Sequence, residues 1–169
     1  MGGRKGLLDS IKAADLPNAS FIEGVPYLPQ RGILMCGPAA LASVMRYYGA
    51  DVRQEEIAGA VYSPRIKGTL TMDLLLYAKE RGFRAEYYSG GLDDLRQRVR
   101  DGTPIIAFLN LGFDLYPVGH YVVVVGFSDE QRVVVAHWGT EKEKVVGYER
   151  FLKAWEKTGF STLLVTPGE

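Results

Sequence analysis

What most constrains this fold is the second half of the chain, where β-branched and aromatic residues gather in short runs. Residues 104–111, 120–127, 132–137 and 144–148 are rich in Val, Ile, Phe and Tyr, and brief polar stretches separate them. Branching at Cβ restricts χ1 in a helical turn but suits a pleated surface, so these runs are expected to be strands. Ser128, Asp129, Glu130 and Gln131 read as a hairpin turn between two valine-rich runs, which makes those runs antiparallel neighbours. A helix over 148–157, with Phe151, Leu152 and Trp155 on one face, and a closing strand over 161–166 complete this half.

The first half has helical spacing. Leu7, Leu8 and Ile11 suggest a short N-terminal helix ended by Pro17-Asn18. Val25-Pro26-Tyr27-Leu28-Pro29 is expected to be extended, since proline biases itself and its predecessor away from helix. A helix opens at Cys36-Gly37-Pro38, where proline is tolerated in the first turn, and Gly49 stops it after Tyr48. Further helices are expected over 52–62, 72–81 and 92–100, with a strand over 83–88. Helices followed by an antiparallel sheet argue an α+β fold, with an N-terminal extension over 1–20 and one domain over 21–169.

Composition narrows the function classes. Twenty basic and twenty acidic side chains cancel, so bulk charge gives no case for nucleic acid as a partner. A lone cysteine excludes an internal disulfide and cysteine-rich zinc sites, and with two histidines neither a metal nor another cofactor is expected. No apolar run reaches the ~18–20 residues of a transmembrane helix. The short Leu-Leu after the basic start does not make a signal peptide. Compartment and oligomeric state are not encoded legibly.

Chemistry concentrates on three residues. Cys36 stands at a predicted helix N-terminus, where unpaired N–H groups and the dipole favour a thiolate, and Gly37 is expected to keep the space over the sulfur open. His120 opens the most apolar strand, a place from which an imidazole can face a cleft while the strand fixes its backbone. A nucleophilic cysteine needs such a base. Gln30 precedes Cys36 in the loop leading to the helix, and its side-chain amide can join the Cys36 backbone N–H as an oxyanion hole. Each also has a structural reading: an inert buried thiol, a histidine without a role, a solvated loop glutamine.

Three blocks carry a family resemblance: Val25-Pro26-Tyr27-Leu28-Pro29-Gln30, Cys36-Gly37-Pro38-Ala39-Ala40-Leu41-Ala42, and Gly119-His120-Tyr121-Val122-Val123-Val124-Val125-Gly126-Phe127. In order and spacing they resemble the bacteriocin-processing, or double-glycine, peptidases, a family of papain-like cysteine peptidases. The resemblance runs from about Val25 to Pro167. It implies a papain-like fold and a peptide or protein substrate with small residues before the scissile bond. It also implies Cys36 as nucleophile, His120 as general base and then acid, and Gln30 as oxyanion donor.

One position departs from the pattern. Where the family usually carries an aspartate after the next strand, this chain reads Val135-Ala136-His137-Trp138-Gly139-Thr140. His137 stands in the expected place. It is either a neutral acceptor that orients His120 or a strand-end residue beside Trp138, and it supplies no negative charge for an imidazolium. Hydrolysis, peptide binding by a degenerate domain, and acyl or peptidyl transfer by the same Cys-His pair therefore all stay open.

Overall fold

The computed structural model describes residues 11–61, 71–112 and 117–168. Five α-helices and seven strands follow one another among these. A 3-10 turn at Ala13–Asp15 leads to β1 (Ser20–Phe21). Helices α1 (Cys36–Tyr47), α2 (Gln54–Val61) and α3 (Thr71–Glu80) come next, then β2 (Phe83–Ser89) and α4 (Leu92–Arg100). Strands β3 (Ile105–Asn110), β4 (Gly119–Ser128), β5 (Val133–His137) and β6 (Lys144–Gly147) precede α5 (Tyr148–Glu156) and β7 (Ser161–Pro167). The architecture is α+β, as expected. Of the expected N-terminal helix, Leu7 and Leu8 lie outside the described residues, as does Tyr62 at the end of the second expected helix.

All pairings are antiparallel, in the order β2-β7-β3-β4-β5-β6, and β1 adds to β4. The two-residue strand β1 had no periodic signal in the sequence. Its seat is cut by a glycine: a Cβ on Gly126 would lie 2.5 Å from the Phe21 ring and 2.8 Å from the Ser20 carbonyl. β4 and β5 are buried on both faces, consistent with their unbroken valine runs. Helix α1 lies against β4, α3 against β2, and α5 against β3. Leu41, Ala42 and Val44 of α1 are wholly or almost wholly inaccessible, so the helix that begins at Cys36 is anchored in the core.

The segment 25–30 explains much of the buried polarity. With prolines at 26 and 29 it cannot form a full ladder. Single side chains satisfy its carbonyls instead. His137 Nε2 donates to Val25 (2.9 Å), the Ser43 hydroxyl donates to Pro26, and Gln54 Nε2 donates to Pro29 (2.9 Å). All three donor residues are buried.

Candidate active site

Cys36 is the first residue of α1. The preceding residue, Met35, has no side-chain oxygen and makes no side-chain cap, so the first-turn N–H groups are not consumed there. The N–H groups of Tyr121, Gly37 and Cys36 itself lie around the sulfur and favour its anion. Burial outweighs them and pushes the thiol above its ordinary range. A thiolate at rest, expected from the helix terminus, is thus not what the surroundings favour. The three N–H groups favour the anion, but less than burial opposes it. Gly37 also has a packing reason to lack a side chain. It is buried, and a Cβ there would press on the Tyr121 ring at 3.2 Å and on Leu74 at 3.4 Å.

Alkylation of Cys36 by iodoacetamide should accordingly be no faster than that of a free thiol at pH 6. It should rise with an inflection above the ordinary thiol value of about 8.5. An inflection below pH 7 would instead demonstrate a resting ion pair.

His120 is the second residue of β4, opposite Leu109 of β3. Its Nε2 donates to the backbone carbonyl of Trp138, which leaves Nδ1 as the nitrogen that can take a proton. Burial lowers its pKa below the ordinary imidazole value, the Trp138 bond opposes this, and Lys144 adds to the lowering. The Lys144 ammonium lies 5.1 Å from the centroid of the Trp138 ring, whose own centroid is 5.5 Å from that of His120. Neutral imidazole is therefore the resting form. The sulfur sits by the N–H of Tyr121, the residue following His120.

His137 does not make the contact expected of an orienting residue. The β4–β5 register sets it opposite Val123, with an irregularity between Val124 and Gly126. Val123 is an odd number of residues from His120, so the pleat sends His137 to the face of Tyr121 and Val123. There Nε2 donates to the Val25 carbonyl, and Nδ1 accepts the Glu143 N–H at 3.3 Å. The bond to His120 comes instead from the next residue, through its main chain.

Gln30 is brought to His120 by the same loop. Its backbone N–H donates to the Gly139 carbonyl (2.8 Å), which also accepts the Tyr27 hydroxyl (3.2 Å). A Cβ on Gly139 would lie 2.3 Å from Gln30 Oε1 and 3.2 Å from His120 Cε1. Gln30 Nε2 donates one hydrogen to the Gly32 carbonyl (2.9 Å), and its second remains for another acceptor. Gln30 Oε1 is buried without a hydrogen-bond partner.

The main-chain acceptor at Trp138 and the constraint at Gly139 were not foreseen. The positive φ of Gly139 (94°) has only the glycine itself as a sequence signal, and a carbonyl has none.

A sequence model of the Peptidase_C39 like family matches residues 22–163. The chain belongs to that family. Among solved structures, the peptidase domain of Streptococcus ComA, described as a bi-functional ABC transporter involved in a quorum sensing pathway, is similar at 25% identity. The match covers 85% of this chain and 99% of that one, with a TM-score of 0.69. A putative C39-like peptidase from Bacillus anthracis superposes with a TM-score of 0.71 at 17% identity, over 88% of this chain and 98% of that one. A double glycine motif protease from an AMS/PCAT transporter, solved with a leader peptide, gives a TM-score of 0.66 at 24% identity, over 85% and 92%. The fold is thus that of C39 papain-like peptidase domains. An uncharacterized protein of Methanothermobacter thermautotrophicus is 33% identical over 101 residues, which are 60% of this chain and 63% of the relative. Among the described residues no helix is long and apolar enough to cross a membrane.

Proposed function

We propose that this C39-like domain is a cysteine peptidase in which Cys36 and His120 work as a pair, Gln30 supplies an oxyanion donor, and the Trp138 carbonyl takes the orienting role. The observation that carries this reading is the fixed tautomer of His120. With Nε2–H held by a carbonyl, Nδ1 keeps a lone pair, on the residue that precedes the Tyr121 N–H at the sulfur. As the Cys36 sulfur attacks a peptide carbonyl, its proton passes to His120 Nδ1. The oxyanion is held by the second hydrogen of Gln30 Nε2 and a first-turn N–H of α1. Collapse returns that proton to the leaving amine and forms a thioester. His120 then takes a proton from water, the resulting hydroxide attacks the thioester, and Cys36 leaves with that proton.

A groove of about 320 Å³ bounded by Thr71, Tyr87, Phe108, Asn110, Pro117 and Gly119 reaches the residue before His120 in β4 and supports an extended peptide as the substrate. The similarity to double-glycine proteases supports small residues before the scissile bond.

The test is a peptide library profiled by mass spectrometry, with Cys36→Ala as the blank. Cleavage after Gly or Ala by the parent alone is expected. No cleavage by a fully folded parent would refute the peptidase reading, and a preference for bulky or charged residues before the cut would refute the substrate class. Gln30→Ala should lower kcat on the order of 10²-fold with little change in KM.

A further inference from the structure

The loop that carries Gln30 is gripped from a second side, by a glutamine that no catalytic pattern includes. Gln54 opens α2 and is only 4% exposed. Its Nε2 donates to the Pro29 carbonyl (2.9 Å), and its Oε1 accepts the Arg31 N–H (3.1 Å). One carboxamide thus spans the residues on either side of Gln30, as a strand neighbour would. Gln30's own N–H is tied to Gly139 from the opposite direction. Three successive residues therefore have main-chain groups fixed by two separate elements, and the side chain in the middle is the one beside His120. Glu55, next along α2, adds a solvent-exposed ion pair to Arg31 (3.1 Å), which contributes little by comparison.

We infer that Gln54 is a positioning residue whose task is to hold Gln30 in place as an oxyanion donor. The inference rests on the peptidase reading above. A rigid carboxamide matters because a donor displaced by a fraction of an ångström loses its preference for the transition state over the ground state. Without Gln54 the Pro29 carbonyl and the Arg31 N–H lose their partners, and the loop is free to seek others.

The test uses a reaction that needs the oxyanion donor but not turnover. A peptide aldehyde ending in Gly-glycinal adds to Cys36 as the thiol proton passes to His120 Nδ1, so its carbonyl oxygen becomes an oxyanion at the site, whereas iodoacetamide alkylates the same sulfur with loss of iodide and forms none. Gln54→Met keeps length and burial but removes both bonds. It should slow aldehyde addition about 10-fold while leaving iodoacetamide alkylation within twofold. In a Gln30→Ala background the same substitution should cost less than twofold, because the group it positions is gone. Gln54→Glu retains the acceptor for Arg31 and should fall between. Circular dichroism at the assay temperature verifies folding of each variant.

Equal losses in both backgrounds, or an aldehyde rate unchanged by Gln54→Met and Gln54→Glu, would overturn the inference. So would an aldehyde rate that Gln30→Ala does not change. A parent that adds the aldehyde with this pattern yet cleaves no peptide sinks hydrolysis alone and leaves the role of Gln54 standing.

Discussion

Replacing His120 with alanine should lower turnover of a cleavable peptide on the order of 10⁴-fold, whereas His137→Ala should leave turnover per folded molecule within a few-fold. Burial holds the Cys36 thiol above its ordinary value, so the sulfur depends on a base to lose its proton. His120 has a nitrogen left for that purpose. His137 has both nitrogens committed, to Val25 and Glu143. Its loss should instead destabilise the fold by about 2–4 kcal/mol in a urea titration, because two main-chain groups lose their partner.

Acid stability should carry the mark of both imidazoles, since burial lowers the folded pKa of His120 as well as that of His137. The folded pKa of His137 is lowered, chiefly by burial, so the unfolded chain binds the proton more readily. Its contribution to stability is complete above about pH 6.5. It is lost as pH falls from there toward the folded value, at up to about 1.4 kcal/mol per pH unit. Removing His137 should remove that part of the slope. A folded His137→Ala protein as inactive as His120→Ala would show that the second imidazole takes part in the chemistry, and the Trp138 carbonyl would lose its assigned role.

Gly139→Ala should reduce turnover on the order of 10³-fold without abolishing folding. The added methyl would sit 2.3 Å from Gln30 Oε1, so Gln30 must move, and His120 Cε1 is close enough to be pushed as well. Losing the donor costs about 10²-fold, and a misplaced base adds to it. The positive φ adds about 1 kcal/mol of backbone strain, small beside the catalytic loss. Steady-state kinetics and thermal melts on the same preparation separate the two. Turnover within threefold of the parent would mean that Gln30 does not depend on this approach.

The sequence announced the sheet because valine runs have one economical arrangement, and it offered Cys36, His120 and Gln30 as candidates because a lone cysteine, a histidine opening an apolar strand and a loop glutamine stand at a recognisable spacing. Helices α1, α3, α4 and α5 were legible to within a residue or so for a similar reason: an apolar face recurs at helical spacing. What stayed hidden was whatever depends on register. The sequence left His137 either orienting His120 or packing at a strand end, and the β4–β5 pairing decides against the first by putting His137 opposite Val123. Gln54 was hidden for another reason. It stands among Arg53, Glu55 and Glu56, where a polar residue suggests solvent, and only the fold reveals that it faces inward.

The acceptor at Trp138 belongs to the main chain, and every residue type owns such a carbonyl. Side-chain scanning would pass over position 138 and find only an aromatic ring. Neither acid nor modification of the Trp138 side chain switches the acceptor off, since the carbonyl has no proton to gain within the working range. What must be inherited is the path of a loop: the end of β5, the turn at Gly139 and the ties to Tyr27 and Gln30. On the proposed reading, a chain of this fold without an acidic residue at that place still offers the imidazole N–H an acceptor, and curvature rather than a side chain holds it there.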